Sequence, residues 1–195
     1  MKTTKLHFPT FIFIVLAAVP FGIFAQGTGS SESETTSQDL DRLRVAAVAK
    51  AETSKFEFSD AEIGVFEKIA FDLINARRSE LGYTKMAWSE DGSKIARLHS
   101  TNMATLKFFG HAGADGKMVD ERADQLNVKR WRAIGENIAF MRGYADPVKT
   151  AVEKWMLSTG HRANLLNSRW TESAVGIAVS SDGTFYFTQV FLERR

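Results

Sequence analysis

The stretch GENIAFMRGYADPVKTAVEKWMLSTGHRANLL, residues 135–166, is the most informative part of the sequence for the fold. Its middle predicts a helix over residues 148–158, because Asp146 is a favoured N-cap and Pro147 suits the first helical position. Gly160 is expected to end this helix. Apolar residues recur along it every three or four positions, which places them on one face that packs against a core. They are Val148, Ala151, Val152, Trp155 and Met156.

Two polar clusters flank this helix. Gly135-Glu136-Asn137 precedes it, and Gly160-His161-Arg162 follows it. An acid, an amide, a histidine and an arginine beside glycines are typical of a surface cleft that binds a ligand. The helix is about 16 Å long at the usual helical rise, so the clusters meet only if the loop over residues 137–146 runs back along it. Their convergence is a hypothesis at this point.

The N-terminus predicts an exported protein. Two lysines precede an apolar stretch over residues 11–24, and Ala25 is a small residue suited to the position before a cleavage site. Residues 1–25 are therefore predicted to be a signal peptide that is cleaved near Ala25, leaving a secreted or periplasmic protein. An uncleaved anchor is the alternative, but Pro20 interrupts the stretch, which is shorter than the ~20 apolar residues of a span. We expect no stable transmembrane span after processing.

Charge and cysteine content exclude several functions. The chain has 25 basic and 23 acidic residues, and residues 1–25 hold two of the lysines and no acid, which leaves 23 of each sign in the mature protein. It has no basic stripe with interleaved aromatic residues, so we expect no nucleic-acid partner. The absence of cysteine excludes disulfides, thiolate metal ligands and a cysteine nucleophile.

Residues 26–58 are predicted to be a disordered spacer, because their first part is rich in Gly, Ser, Thr and Glu and lacks large apolar side chains. A short helix over residues 40–50 is compatible with this spacer. The main domain is predicted over residues 59–195. It begins where Ser59 and Glu62 form a capping-box pattern ahead of a helix.

The C-terminal part predicts β-structure. Residues 175–180 and 184–192 are rich in β-branched and aromatic residues, and Asp182-Gly183 between them is a hairpin signal. Both faces of the second strand are apolar, which favours a sheet covered by helices on both sides. We therefore predict an α/β fold, a three-layer α-β-α sandwich with a mainly antiparallel central sheet.

Four short motifs carry a resemblance to a known family. In order, they are Phe109-Gly110-His111, Gly135-Glu136-Asn137-Ile138-Ala139, Trp155 to Asn164, and Thr188-Gln189-Val190-Phe191. They resemble the CAP superfamily of cysteine-rich secretory, antigen 5 and pathogenesis-related proteins, in its bacterial cysteine-free, SCP-like branch. The resemblance implies that residues 59–195 are a secreted α-β-α sandwich with a central cleft. In some members, histidines and glutamates of that cleft bind a divalent metal.

Matched residue by residue, the resemblance is incomplete. His111 looks like the family's first cleft histidine, and Glu136 like the glutamate of its Gly-Glu-Asn motif. The family's second glutamate would fall at Ser158 and its second histidine at Tyr186, so half of the four-residue set is replaced. His161 belongs instead to the tryptophan, serine, glycine, histidine, arginine pattern of the bacterial branch. Through this pattern it can supply the cleft with a histidine from another direction.

His111, His161 and Glu136 are the predicted metal ligands, because a neutral imidazole binds zinc and three ligands leave an open position. No motif requires a cofactor, and zinc is the divalent metal that these residues suit. The alternative is that each histidine only caps or hydrogen-bonds a loop. Asn137, Arg162 and Tyr186 complete the predicted cleft, although Asn137 is better explained by backbone hydrogen bonds.

Three functions fit these observations. A secreted binding module whose cleft holds a small ligand, a lipid or a cell-envelope component ranks first. A metal-assisted hydrolase with Glu136 as base and the histidines as ligands ranks second, and a structural extracellular domain ranks third. Ser158 lacks a Gly-x-Ser-x-Gly elbow, which argues against a serine hydrolase. The replaced positions Ser158 and Tyr186 favour binding over catalysis, without deciding whether the protein is an enzyme.

Overall fold

The computed structural model describes residues 57–194, which contain five helices and four strands. The predicted signal peptide and nearly all of the predicted spacer lie outside the described residues. The helices are α1 (Asp60–Glu80), α2 (Glu90–Leu106), α3 (Val119–Gln125), α4 (Pro147–Leu157) and α5 (Thr159–Leu165). The strands are β1 (Ala87–Trp88), β2 (Trp131–Met141), β3 (Glu172–Val179) and β4 (Phe185–Arg194).

Local hydrogen bonds cap the three long helices, and two of these caps, Ser59 and Asp146, were predicted from the sequence. The amide of Ser59 donates to the Glu62 carboxylate at 2.8 Å, which completes the capping box of α1. Ser89 caps α2 by accepting from the amide of Gly92, and Asp146 caps α4 by accepting from the amide of Lys149 at 2.9 Å. Each cap satisfies backbone donors that the first turn of a helix leaves unpaired.

The strands form one mixed sheet in the order β1-β3-β4-β2. The short β1 runs parallel to β3, whereas β3 with β4 and β4 with β2 are antiparallel pairs. The mainly antiparallel sheet predicted from the sequence is therefore confirmed. Because β2 pairs only with β4, its other edge is available to helices and loops, and this edge positions the site described below.

Helices cover both faces of the sheet, which confirms the three-layer sandwich. Phe187 and Phe191 of β4 lie in a core with residues of α1 and α4, including Trp155. Val190 and Leu192, on the opposite face of the same strand, lie in a second core with residues of α2 and α3. The alternation of side chains along a strand thus supplies apolar surface to both helical layers.

Helix α2 approaches the sheet very closely at Gly176 of β3. A Cβ atom built there would lie 2.3 Å from backbone atoms of Ala96 and Arg97, so only glycine fits. The hydroxyl of Ser100 donates to the carbonyl of Gly176 at 2.8 Å in the same region. This contact fixes how closely α2 packs on the sheet. His99, the residue before Ser100 in α2, therefore lies over the sheet.

Two local predictions around the opening stretch are wrong. Residues 137–141, expected to belong to a loop, continue β2, because Glu136 to Met141 pair in register with Val190 to Phe185 of β4. Gly160 does not end α4 but lies within α5. The break falls at Ser158, whose backbone is extended with ψ of 124°, and this lets α5 turn back onto the edge of β2.

Phe58, which the sequence assigned to the end of the spacer, packs on the domain. Its ring centroid lies 5.4 Å from those of Phe66 and Phe185. These contacts tie the entry of the chain into α1 to one end of β4. Over residues 57–194, the helices are all too short or too polar to span a lipid bilayer.

Candidate functional site

Glu136 is a buried carboxylate on the face of β2 that is covered by α2 and α3. Its side chain is 3% exposed, and its Oε1 accepts a hydrogen bond from Nδ1 of His111 at 2.8 Å. Its Oε2 accepts from Nη2 of Arg122 at 2.5 Å. Burial by itself would raise the pKa of Glu136, but the hydrogen bond from His111 and the charge of Arg122 lower it below its usual value. Glu136 is therefore ionised, with both oxygens engaged.

Arg122 of α3 connects this carboxylate to the loop that carries His111. Besides Glu136, its guanidinium donates through Nη1 to the carbonyls of His111 at 2.9 Å and of Lys117 at 2.6 Å. A planar fork of donors suits such simultaneous contacts, which a lysine does not reproduce. The sequence offers no signal for this role, since Arg122 belongs to none of the motifs.

His111 is held from both sides by these contacts. It lies in the loop between α2 and α3, and its side chain is 14% exposed. Because its Nδ1 faces the Glu136 carboxylate, the neutral ring carries its proton on Nδ1 and presents an unshared pair on Nε2. A carboxylate that orients an imidazole in this way is a common support for a histidine that binds a ligand through its other nitrogen.

His99 of α2 is a buried histidine next to the same cluster. Its Nε2 is 2.9 Å from the carbonyl of Gly110 and 3.9 Å from Oε1 of Glu136. Burial lowers the pKa of His99, and Arg122 adds to this effect, so the ring is neutral and its Nε2–H donates to Gly110. The residue thus fixes the backbone immediately before His111. Its Nδ1 has no hydrogen-bond partner among the described residues.

Asn137, next to Glu136 on β2, points to the opposite face and docks α5. Its Nδ2 donates to the carbonyl of His161 at 3.1 Å, and its Oδ1 accepts from Nδ2 of Asn164 at 3.0 Å. Asn164 also donates to the carbonyl of Glu136 at 3.3 Å. These bonds cover the free edge of β2 with α5. They support the explanation that Asn137 serves to hydrogen-bond the backbone. They also show that Asn164, which we did not single out from the sequence, helps to hold α5 on β2.

This docking places His161, in α5, beside the edge of β2. Burial and, to a smaller extent, the electrostatic effect of His111 lower the pKa of His161 to about 4. The ring is therefore neutral near pH 7. The backbone of His161 is held at the edge of β2, because its carbonyl accepts the hydrogen bond from Asn137.

Arg162 lies in a separate groove, whereas Tyr186 lies on the same face of the sheet as Glu136, four register positions away. Arg162 is exposed and lines an open groove of about 370 Å³ together with Tyr83, Leu157 and residues in and just after α5. Tyr186 pairs with Phe140 across β4 and β2, on the same face of the sheet as Glu136. Burial raises the pKa of Tyr186 above its usual value.

A three-ligand metal site is not assembled in this arrangement. Over residues 57–194, no group of three or more His, Asp or Glu side chains surrounds a common point as a metal ion requires. Both oxygens of Glu136 are engaged, one with His111 and the other with Arg122, so this carboxylate orients the His111 ring.

Sequence and structure comparisons agree on the family. The model of the cysteine-rich secretory protein family, CAP, matches residues 71–191. The uncharacterized membrane protein YlbC of Bacillus subtilis (strain 168) is 35% identical over 128 residues, which are 66% of this chain and 34% of that protein. The chain thus spans about a third of the length of this relative.

Solved structures with the same fold include proteins from outside the cell. An extracellular protein containing an SCP domain from Bacillus anthracis str. Ames matches with a TM-score of 0.61 and 27% identity, over 71% of this chain and 45% of that one. An outer surface protein of Borrelia burgdorferi matches with a TM-score of 0.59 and 18% identity, over 66% of this chain and 92% of that one. With the family model covering more than half of its length, this cysteine-free chain belongs to the CAP family.

Proposed function

We propose that the protein is an exported CAP-domain binding module whose ligand cleft follows the outer edge of β2. His111 and His161 contact the ligand in this proposal, while Glu136, Arg122 and Asn137 position them. Export is supported by the basic and apolar N-terminus and by the extracellular and outer-surface proteins that share the fold. The ligand belongs to the cell surface, as a small molecule, a lipid or an envelope component.

One observation carries this proposal. His111 is partly exposed, yet its ring and its backbone are both fixed, by Glu136 and by Arg122 respectively. A buried ion pair is costly to form, because both charges lose water, and here it orients a side chain that reaches the surface. Such pre-organisation reduces the entropy lost when a ligand binds.

The same geometry argues against the metal-assisted hydrolase in which Glu136 is the base. A general base works best with a pKa near the operating pH, whereas the pKa of Glu136 is lowered by its bonds to His111 and Arg122. Its side chain is also only 3% exposed, which leaves little access for a substrate. Binding is the function that this arrangement serves better.

Zinc titration tests whether the two imidazoles form an accessible pair. We expect zinc to raise the melting temperature of the wild-type protein and to leave that of the His111→Ala, His161→Ala double variant unchanged. Arg162→Ala is the matched control, because Arg162 lines a different groove, and it should respond like the wild type. Equal responses of the wild type and the double variant would contradict the proposed cleft. Zinc-dependent cleavage of a protein substrate by the wild type would instead support the hydrolase.

A further inference from the structure

We infer that the cleft binds an uncharged, extended sugar chain whose rings pack on Phe109, Phe140 and Tyr186. These three side chains are called the aromatic shelf below. The inference rests on the proposed binding cleft and names the class of its ligand. It is carried by the position of the shelf, its exposure and the pairing of the charges around it.

The shelf is built from three separate segments of the chain. Phe109 comes from the loop after α2, Phe140 from β2 and Tyr186 from β4. The ring centroids of Phe109 and Phe140 are 5.0 Å apart, and those of Phe140 and Tyr186 are 6.5 Å apart. The three rings therefore form a continuous series across the end of the sheet.

This series continues directly into the histidine cluster. Phe109 lies two residues before His111, and Phe140 lies on the same strand and the same face as Glu136, which bonds His111. Four residues of strand separate Glu136 from Phe140, or about 13 Å at the usual rise. His111 and the shelf thus form one elongated track, long enough for more than one sugar ring.

Exposure distinguishes Phe140 from its neighbours on the strand. Phe140 is 37% exposed, whereas Ile138, two positions earlier on the same face, is 4% exposed. The adjoining rings of Phe109 and Tyr186 are partly exposed as well. A contiguous exposed aromatic surface beside a fixed polar group is typical of a binding site.

The charges along the track neutralise one another, which favours an uncharged ligand. Glu136 is paired with Arg122, and Arg142, next to the end of β2, is paired with Asp182 at 3.3 Å. His161 is neutral, since burial lowers its pKa to about 4. Aromatic faces carry partial negative charge and attract the weakly positive C–H groups of a pyranose ring. The Nε2 atom of His111 and the hydroxyl of Tyr186 supply hydrogen-bonding groups for sugar hydroxyls.

Calorimetric titration of the purified protein with chitotetraose, a neutral β-1,4-linked sugar chain, tests the inference. We expect saturable binding by the wild type and about a tenfold higher Kd for Phe140→Ala, which loses the central ring. Tyr144→Ala is the matched control, because Tyr144 is also an exposed aromatic residue, at 36%, outside the shelf. Its Kd should equal that of the wild type. Circular dichroism of each variant verifies that it is folded.

Three outcomes would overturn the sugar inference. They are no binding of chitotetraose or of cellotetraose by the wild type, an unchanged Kd for Phe140→Ala, and binding of phosphatidylglycerol vesicles in place of either sugar. The zinc response of His111 and His161 separates this failure from failure of the cleft itself. If zinc still stabilises the wild type and not the double variant, the cleft stands and only its ligand class is wrong.

Discussion

Arg122 bonds Glu136 and the backbone of His111 at the same time. Its two terminal nitrogens lie 2.5 Å from the Glu136 carboxylate and 2.9 Å from the His111 carbonyl. The position of the His111 backbone and the orientation of its ring are therefore set by a single buried guanidinium and its carboxylate partner. A change in either partner should therefore alter the position of the His111 ring as well as the stability of the domain.

Arg122→Lys should test the role of the guanidinium fork. A lysine keeps the positive charge but cannot hold the Glu136 carboxylate and two backbone carbonyls in the same planar geometry. We expect a loss of about 2–4 kcal/mol in the free energy of unfolding, measured by urea denaturation. We also expect changed chemical shifts of the His111 ring in NMR spectra at a fixed pH. A variant with wild-type stability and wild-type chemical shifts would contradict this role.

Glu136→Gln should leave the Arg122 charge buried without its counter-charge. Breaking one side of a buried ion pair costs about 3–5 kcal/mol, so this single substitution should strongly destabilise the domain. The double variant Glu136→Gln, Arg122→Met should recover part of the loss, because it removes the unpaired charge. A double-mutant cycle in urea measures the coupling, and additive losses would mean that the two residues do not act as a pair.

Acid should destabilise the protein through His161. Its pKa is lowered to about 4 in the folded protein, whereas it is near 6.5 in the unfolded chain. Between pH 4 and pH 6.5 the unfolded chain therefore binds more protons than the folded protein. Stability is therefore complete above pH 6.5 and falls as the pH drops toward 4. Because the ring is partly exposed, we expect a loss on the order of 1–2 kcal/mol over this range.

The lowered pKa of Glu136 acts at lower pH and in the same direction. The ionised Glu136 contributes fully to the free energy of unfolding above the pKa that it has in the unfolded chain. This contribution is lost as the pH falls through its lower pKa in the folded protein. Urea denaturation at several pH values separates the two groups, because His161→Gln should flatten the curve between pH 6.5 and 4 and leave the lower part unchanged. An unaltered curve would exclude His161 as the source.

Gly176→Ala should be strongly destabilising. The added methyl group would meet the backbone of α2 at 2.3 Å, and a backbone cannot move aside as a flexible side chain can. We expect a loss of at least about 1–3 kcal/mol, measured by thermal unfolding. Gly64→Ala in α1 is the control, since the nearest atom would be 4.0 Å away. It should stabilise the domain by about 1 kcal/mol, as alanine favours a helix.

The sequence predicted those parts of the fold whose causes are local. Ser59, Ser89 and Asp146 cap helices through bonds to amides three residues away, so such patterns are visible in a short window. The two faces of β4 were likewise predicted from alternating apolar residues. The strand character of residues 137–141 was missed, because it depends on pairing with β4 about fifty residues later.

The candidate site divides in the same way. His111, Glu136 and His161 were identified from motifs, whereas Arg122 and His99 were not, because each acts only through partners that folding brings next to it. The residue types also did not indicate that the side chains of Glu136 and Asn137, which are adjacent in sequence, point to opposite faces of the sheet. That division follows from the strand conformation, in which successive side chains alternate.

The sequence by itself determined the family, the helical caps and the three-layer class, because short motifs and periodic patterns encode them, and its motifs supplied His111 and His161 as candidate residues. The tertiary structure alone decided that Glu136 orients His111 and is held by Arg122, and that Asn137 and Asn164 fasten α5 to the edge of β2. The physical reason is burial. A charged or polar group withdrawn from water must find partners, and which partners lie within reach is fixed only when sheet and helices have packed.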